Sequence, residues 1–290
     1  MPFVNITNEN FEDIFQVTAK YEQWEYVKHH VFDMVDNYVA IINRIYLPIP
    51  FLIYEEKRMI GFVQVNYYDK ESLFEICKLI VHETEQNKGY GKRILSEAVK
   101  WISIQYGSGT VMAKYKKNNI IADKLFCNAG FGKSTSGDEI AAVMEVKTIP
   151  ADAQHSEFDE VLYSKVDVFA DKIKRSGKQP EDFIGNKDEI HFRKISREDC
   201  GKIIEMKLYE SQEDYVMPFV DSLAESYSDL FEEEITVMYA LCNGKEPIGL
   251  LELEYMKGDS FPDLNGKMVY ELFRILIDQR YQGKGYGKKR

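Results

Sequence analysis

The sequence predicts a layered α/β fold of the α+β type, laid down twice in tandem around mixed central sheets, with the second copy stopping just past a glycine-rich loop. Three observations predict it. The chain has 290 residues, comfortable for two domains. Four short segments recur in the same order in its second half. In both copies an apolar strand runs into a Gln-x-x-Gly-Tyr-Gly turn and then into the start of a helix.

The repeats fix the organisation. Phe3-Val-Asn-Ile6 returns as Phe192-Arg-Lys-Ile195, and Ile60-Gly61 returns as Ile248-Gly249. Phe74-Glu75 returns as Tyr270-Glu271, and Gln86-Asn-Lys-Gly89-Tyr90-Gly91 as Gln282-Gly-Lys-Gly285-Tyr286-Gly287. Extra length enters the second copy only between its third and fourth strands, in a turn across residues 257–266. The expected layout is a complete domain over residues 1–150, a helical connector over 151–187 and a partial domain over 188–290. In the connector, Phe158, Val161, Leu162, Val166, Phe169 and Ile173 share a helical face.

Within the first copy a strand is expected at Phe3–Ile6, then two helical stretches inside Asn8–Arg44. Strands follow at Phe51–Tyr54, Ile60–Tyr68 and Leu73–Val81, each rich in β-branched and aromatic residues. A helix opens at Gly91 and carries Ile94, Leu95, Ala98, Val99 and Ile102 on one face at helical spacing. Thr110–Ala113 reads as a strand, Asn119–Ala129 as a helix stopped by Gly130, and Ala141–Val146 as a last strand. Ser196 and Asp199 make a capping-box pattern at the first helix of the second copy. Trp24 and Trp101 read most simply as core residues.

Composition narrows the function. No apolar run reaches the roughly 20 residues that span a bilayer, so no membrane role is expected. The 37 basic and 48 acidic residues give a net charge of −11, which disfavours nucleic acid and favours cationic ligands. Cys77, Cys127, Cys200 and Cys242 are scattered without metal-ligand or disulfide spacing. A cytoplasmic protein without a metal is expected, a monomer or a homodimer.

The loop itself is a phosphate cradle. Glycines let the backbone approach an anion, its N–H groups point inward, and the helix adds about half a positive charge at its start. Lys88 and Lys92 add full charges. The Gly-Lys-Ser/Thr of a Walker loop is absent, and the loop follows the fourth strand, where a Rossmann loop would follow the first.

At this point the sequence resembles the GNAT superfamily of N-acetyltransferases. Its acetyl-CoA motif is matched by Gln86, Gly89 and Gly91, and again by Gln282, Gly285 and Gly287. A second motif of the family is similar to Asn119-Ile-Ile-Ala122-Asp-Lys-Leu125-Phe126 followed by Gly130-Phe131. The second copy resembles in particular the bacterial polyamine acetyltransferases, through Tyr215-Val-Met-Pro218 and Ser222-Leu223-Ala224, departing at Met217 and Phe219.

The resemblance implies direct transfer of an acetyl group from acetyl-CoA to a primary amine. It implies cofactor contacts at Leu79, Ile80, Val81, Gln86, Asn87, Lys88, Gly89, Tyr90, Gly91, Lys92, Asn119 and Phe126. In the second copy the corresponding loop is Ile277, Gln282, Gly283, Lys284, Gly285, Tyr286 and Gly287. Glu75 stands at the family's catalytic-glutamate position, with Glu271 its counterpart; a solvated strand glutamate is the alternative. The family's proton-donating tyrosine falls at Phe126, which has no proton to give; water or Tyr115 are the substitutes in view. Binding is expected chiefly in the first copy. The competing expectation is a catalytically silent acetyl-CoA-binding or scaffold protein.

Overall fold

Alternating apolar residues build two antiparallel-rich sheets, and the one place where strands run parallel is where the chain needs a helical crossover. The computed structural model describes residues 3–6, 10–27, 30–147, 190–213, 215–229, 235–257 and 268–288. The expected connector helix lies outside the described residues, as does nearly all of the extra turn at 257–266.

The first sheet has seven strands: β1 (Phe3–Asn5), β2 (Leu47–Glu55), β3 (Arg58–Tyr68), β4 (Leu73–Val81), β5 (Gly109–Lys116), β6 (Gly132–Ser136) and β7 (Glu139–Val146). Their spatial order is β1-β2-β3-β4-β5-β7-β6. Every neighbouring pair is antiparallel except β4–β5. The second sheet runs β11-β10-β9-β8, with β8 (Ile190–Lys194), β9 (Ile235–Asn243), β10 (Glu246–Lys257) and β11 (Met268–Ile277), all antiparallel.

Helices in chain order are α1 (His30–Ile42), α2 (Tyr90–Tyr106), α3 (Ile120–Asn128), α4 (Arg197–Ile204), α5 (Glu210–Glu213) and α6 (Phe219–Asp229). Helix α2 buries Ile94, Leu95, Ala98 and Ile102 of the expected face, leaves Val99 half-buried and stops at Gly107. Asn119 caps α3 by accepting the Ala122 N–H at 3.0 Å. The Asp199 carboxylate accepts the Ser196 N–H at 2.8 Å, the reciprocal half of the capping box at α4.

By their contacts the residues form two units. One comprises Met1–His30 and Arg44–Glu160, the other Val31–Asn43 and Val161–Arg290. By contact α1, read from the sequence as part of the first copy, groups from Val31 on with the second unit. Its Tyr38 is fully buried and its hydroxyl accepts the Met238 N–H at 2.6 Å. Asn43, just past it, donates to Ile195 O at 2.9 Å.

β5 extends past its expected Thr110–Ala113 to Gly109–Lys116, and two strands differ more. β2 starts at Leu47 and takes in Pro48 and Pro50, because β1 pairs only with Phe51–Ile53 and leaves that edge open to residues without an N–H. β6, which lacks an apolar pattern, pairs with β7 as an exposed edge hairpin. Both sheets carry the same irregularity, a register shift between Gln64 and Val65 against β4 and between Glu252 and Leu253 against β11. No helix among the described residues is long and apolar enough to cross a membrane. Nor does any group of three His, Cys, Asp or Glu among them sit where it could hold a metal.

Candidate functional site

The strands β4 and β5 pair only at Leu73–Thr110, Phe74–Val111 and Glu75–Met112. Beyond Glu75 they part, although β4 continues to Val81 and β5 to Lys116. A gap therefore opens toward their C-terminal ends, lined on one side by β4 backbone without a strand partner. His82 N donates back to Ile60 O on β3 at 2.9 Å, so strand alternation turns the Leu79 and Val81 amides into the gap. Ile80 is buried and faces its amide toward β3. At the fork, Glu75 is half-buried and accepts the Tyr68 hydroxyl at 2.9 Å.

The loop that follows β4 is held shut by glutamines. Gln86 Nε2 donates to Val81 O at 3.0 Å and to Gln23 Oε1 at 2.8 Å. The same Gln23 oxygen accepts the Lys20 N–H at 3.2 Å. Asn87 and Gly89 both lie in the left-handed region, with φ of +64° and +83°. A side chain at Gly89 would meet nothing within 4 Å, so its backbone faces open space. Backbone N–H groups of Lys88 to Lys92 donate to no acceptor among the described residues. These free donors fit a diphosphate.

Of the flanking cations, Lys88 leans back onto the buried Glu85 at 3.1 Å, while Lys92 is exposed and has no ion pair among the described residues. Tyr90 turns its side chain away from the cradle. It is buried and donates to Glu55, and this bond holds the Glu55 carboxyl below its usual range and the Tyr90 phenol above it. Only its backbone can serve the loop. A methyl at Gly91 would make ordinary contact with the Val81 and Leu125 side chains at 3.8–3.9 Å.

Phe126 is buried, stacked on Tyr115 at 5.5 Å and edge-on to Phe131 at 5.2 Å. Tyr115 donates to Asp123 at 3.1 Å, and burial followed by this bond pushes its phenol up to about 12. A phenol so committed is a poor proton donor at neutral pH. Asp123 in turn is paired with Lys133 at 2.7 Å, the main cause that holds its carboxyl low. His82 caps the turn, its ring accepting the Thr84 N–H at 3.3 Å.

In the second unit the same bonds recur. Gln282 Nε2 donates to Ile277 O at 2.7 Å and to Gln212 Oε1 at 2.9 Å, and Gln212 accepts the Tyr209 N–H at 3.2 Å. Gly283 and Gly285 have φ of +74° and +79°, matching Asn87 and Gly89. Lys284 donates to Arg280 O at 2.9 Å, and Tyr286 accepts from Asn243 at 3.5 Å, as Tyr90 meets Glu55. Gly287 packs against Ile277. This loop borders a cleft of about 480 Å³ that also reaches Leu208 and Val216. Glu271 lies directly opposite Glu254 in the β10–β11 register.

Sequence reasoning missed two features. Gln23 and Gln212 lie far from the motif, and only their shared placement in the repeat could have revealed them. Gly61 and Gly249 are the second pair. A Cβ there would stand 2.2 Å from Ile80 O and 2.1 Å from Leu276 O, so each strand passes hard against the one that feeds the loop. Trp24 also corrects expectation: it is 63% exposed, whereas Trp101 packs on Phe51 at 5.0 Å.

Residues 8–131 match the family model of the acetyltransferase (GNAT) family. Similar solved structures include a domain from Methanocaldococcus jannaschii, 21% identical, covering 50% of this chain and 97% of that one with a TM-score of 0.39. Another is the PaiA N-acetyltransferase from Thermoplasma acidophilum in complex with coenzyme A, at 15%, 50%, 98% and 0.40. A third is a chimeric spermidine N-acetyltransferase from Vibrio cholerae and hSSAT, at 16%, 51%, 96% and 0.38. No curated protein matches the sequence. The matched residues 8–131 supply most of the mixed, seven-stranded α/β sheet, and the second, four-stranded sheet is consistent with a further partial domain.

Proposed function

We propose that the chain is an acetyl-CoA-dependent N-acetyltransferase for a small cationic amine, with a polyamine as the acceptor class. The observation that carries this reading is the forked β4–β5 gap ending beside a left-handed glycine loop with free N–H donors. In this reading the diphosphate of acetyl-CoA rests on residues 87–92, with Lys92 supplying a charge. The pantetheine arm pairs with the open edge of β4, and the N–H of Leu79 or Val81 polarises the thioester carbonyl. One such donor is worth about 2.7–4 kcal/mol.

At pH 7 only about one alkylamine in a few thousand is neutral. Glu75, at the fork and oriented by Tyr68, is the candidate base that takes the ammonium proton. The amine nitrogen then forms the C–N bond as the C–S bond breaks. The nitrogen sheds its second proton, which water carries to the departing thiolate; with a pKa near that of cysteine, about 8.5, the thiolate needs no help from Phe126. Asn119 shapes the far wall by capping α3.

The shared glutamine bonds, glycine conformations and strand irregularities support two tandem copies of this domain, with 188–290 the partial one and Glu271 the counterpart of Glu75. The intact latch and the cleft at the second loop support a second cofactor site, beside the one expected in the first copy. A cytoplasmic setting fits the four free thiols. A silent acetyl-CoA-binding protein is the second reading, favoured by the buried, stacked Phe126.

Calorimetric titration with acetyl-CoA tests the binding, reading stoichiometry in the wild type and in Gly89→Glu. A screen of amines with a free-thiol readout then separates the two readings. Turnover that falls at least ten-fold in Glu75→Gln with unchanged acetyl-CoA affinity supports the base; unchanged turnover removes it.

A further inference from the structure

Residues Tyr21-Glu-Gln-Trp24-Glu-Tyr26 alternate aromatic and acidic side chains. Tyr21 is 78% exposed and Trp24 63% exposed, and their rings meet edge-on with centroids 5.1 Å apart. The Trp24 indole N–H is satisfied by Ala19 O at 3.1 Å, so its polar end is tied down and its ring faces outward. Two large rings left in water and fixed in place mark a surface that has something to bind.

The strip is anchored at both ends. Gln23 takes the Gln86 amide beyond the end of β4, and Glu83 N donates to Thr18 O at 2.8 Å. At the other end the Tyr26 hydroxyl reaches Asn118 O at 3.4 Å, and Lys116 Nζ reaches Glu25 O at 3.4 Å, both beyond or at the end of β5. The strip therefore crosses the mouth of the gap between β4 and β5. The chain already shows what it attracts, because the Lys116 ammonium lies 6.0 Å from the centre of the Tyr26 ring. Glu22 is exposed and has no ion pair among the described residues.

We infer that Tyr21, Glu22 and Trp24 form a specificity subsite that holds a second ammonium group of the acceptor, selecting polyamines over monoamines. The inference rests on the acetyltransferase reading and names its substrate class. An ammonium stacked on the ring faces and paired with the Glu22 carboxylate would stay at the mouth while the neutral end of the same molecule reached the fork. The second copy has Glu210 and Glu213 at the positions of Tyr21 and Trp24, so the aromatic subsite belongs to the first unit alone.

The test compares spermidine with propylamine in the full chain, using thiol release, for wild type and the Tyr21→Ala, Trp24→Ala double variant. KM for spermidine should rise about five- to ten-fold with kcat within two-fold. Propylamine kcat/KM should move less than two-fold. Equal losses for both amines, or none for spermidine, overturn the subsite, as does a lysine-rich peptide that outcompetes spermidine. A second readout needs no turnover: in a Trp101→Phe background, Trp24 emission should change saturably with spermidine and lose that response in Glu22→Gln. If no amine releases thiol, the enzyme reading falls, and the emission titration still decides the subsite.

Discussion

Replacing Gln23 by alanine should weaken acetyl-CoA binding although Gln23 belongs to no cofactor motif. The side chain holds Gln86 at 2.8 Å and the Lys20 N–H at 3.2 Å, and Gln86 in turn holds Val81 O at 3.0 Å. Each neutral bond contributes about 0.5–1.5 kcal/mol net. Gln86→Ala removes two bonds and should cost about 1–3 kcal/mol, a roughly five- to 150-fold rise in Kd. Gln23→Ala removes one of these two, together with the Lys20 bond that positions Gln23 itself, and should cost binding about 1 kcal/mol, near five-fold. Calorimetry on both variants and their combination closes a double-mutant cycle, with an expected coupling of about 0.5–1 kcal/mol. Gln212→Ala is the internal control, acting only on binding at the second loop. A Gln23→Ala protein that binds as the wild type does, while Gln86→Ala is impaired, would refute the idea that the latch holds the cradle.

Gly61→Ala and Gly249→Ala each force a methyl to within about 2 Å of a backbone carbonyl, which must retreat by about 1 Å; each should lose about 3 kcal/mol in denaturant unfolding, and a loss under 1 kcal/mol would contradict the close approach. Asp199→Asn breaks the pair with Arg193: burial raises the Asp199 carboxyl, but bonds from Arg193 and Ser196 outweigh it and hold the pKa low. Its contribution is therefore full above the unfolded value of about 3.9 and disappears as pH falls through the lower folded value. The variant should be less stable by about 2–3 kcal/mol at pH 7, with the difference closing in acid. Tyr38→Phe leaves the Met238 N–H buried without an acceptor and should cost about 1–3 kcal/mol, measured by thermal unfolding.

Much of the fold was legible because the signals were local. β4 has the boundaries its β-branched run predicts, and α2 starts one residue before Gly91. Glycine at the loop announced the left-handed turn that Gly89 adopts. What escaped was decided by neighbours. Pro48 and Pro50 argue against a strand until one knows that β1 stops short of them. β6 is Gly-Lys-Ser-Thr-Ser, exposed throughout, so no apolar pattern marks it. Trp24 counts as core by the size of its apolar ring, yet that ring stands in water with its N–H held by Ala19 O. The glutamine latch joins residues 63 positions apart, beyond any local pattern.

Periodicity in α1 announces a buried face but not what covers it, and here one strand position accounts for the outcome. Met238 of β9 and Pro50 of β2 occupy equivalent places, paired with Glu252 and Gln64 at the two register shifts. β8 ends at Lys194, paired with Tyr239, so the Met238 N–H lies just past its cover and needs an acceptor. Pro50 has no N–H and needs none. Tyr38 supplies the missing acceptor, and Asn43 gives Ile195 O its donor. The second sheet thus holds α1, which lies far upstream in the chain, through two backbone groups that its own strands leave open. A fragment starting after residue 189 would expose both, because the second unit is not one contiguous stretch of chain.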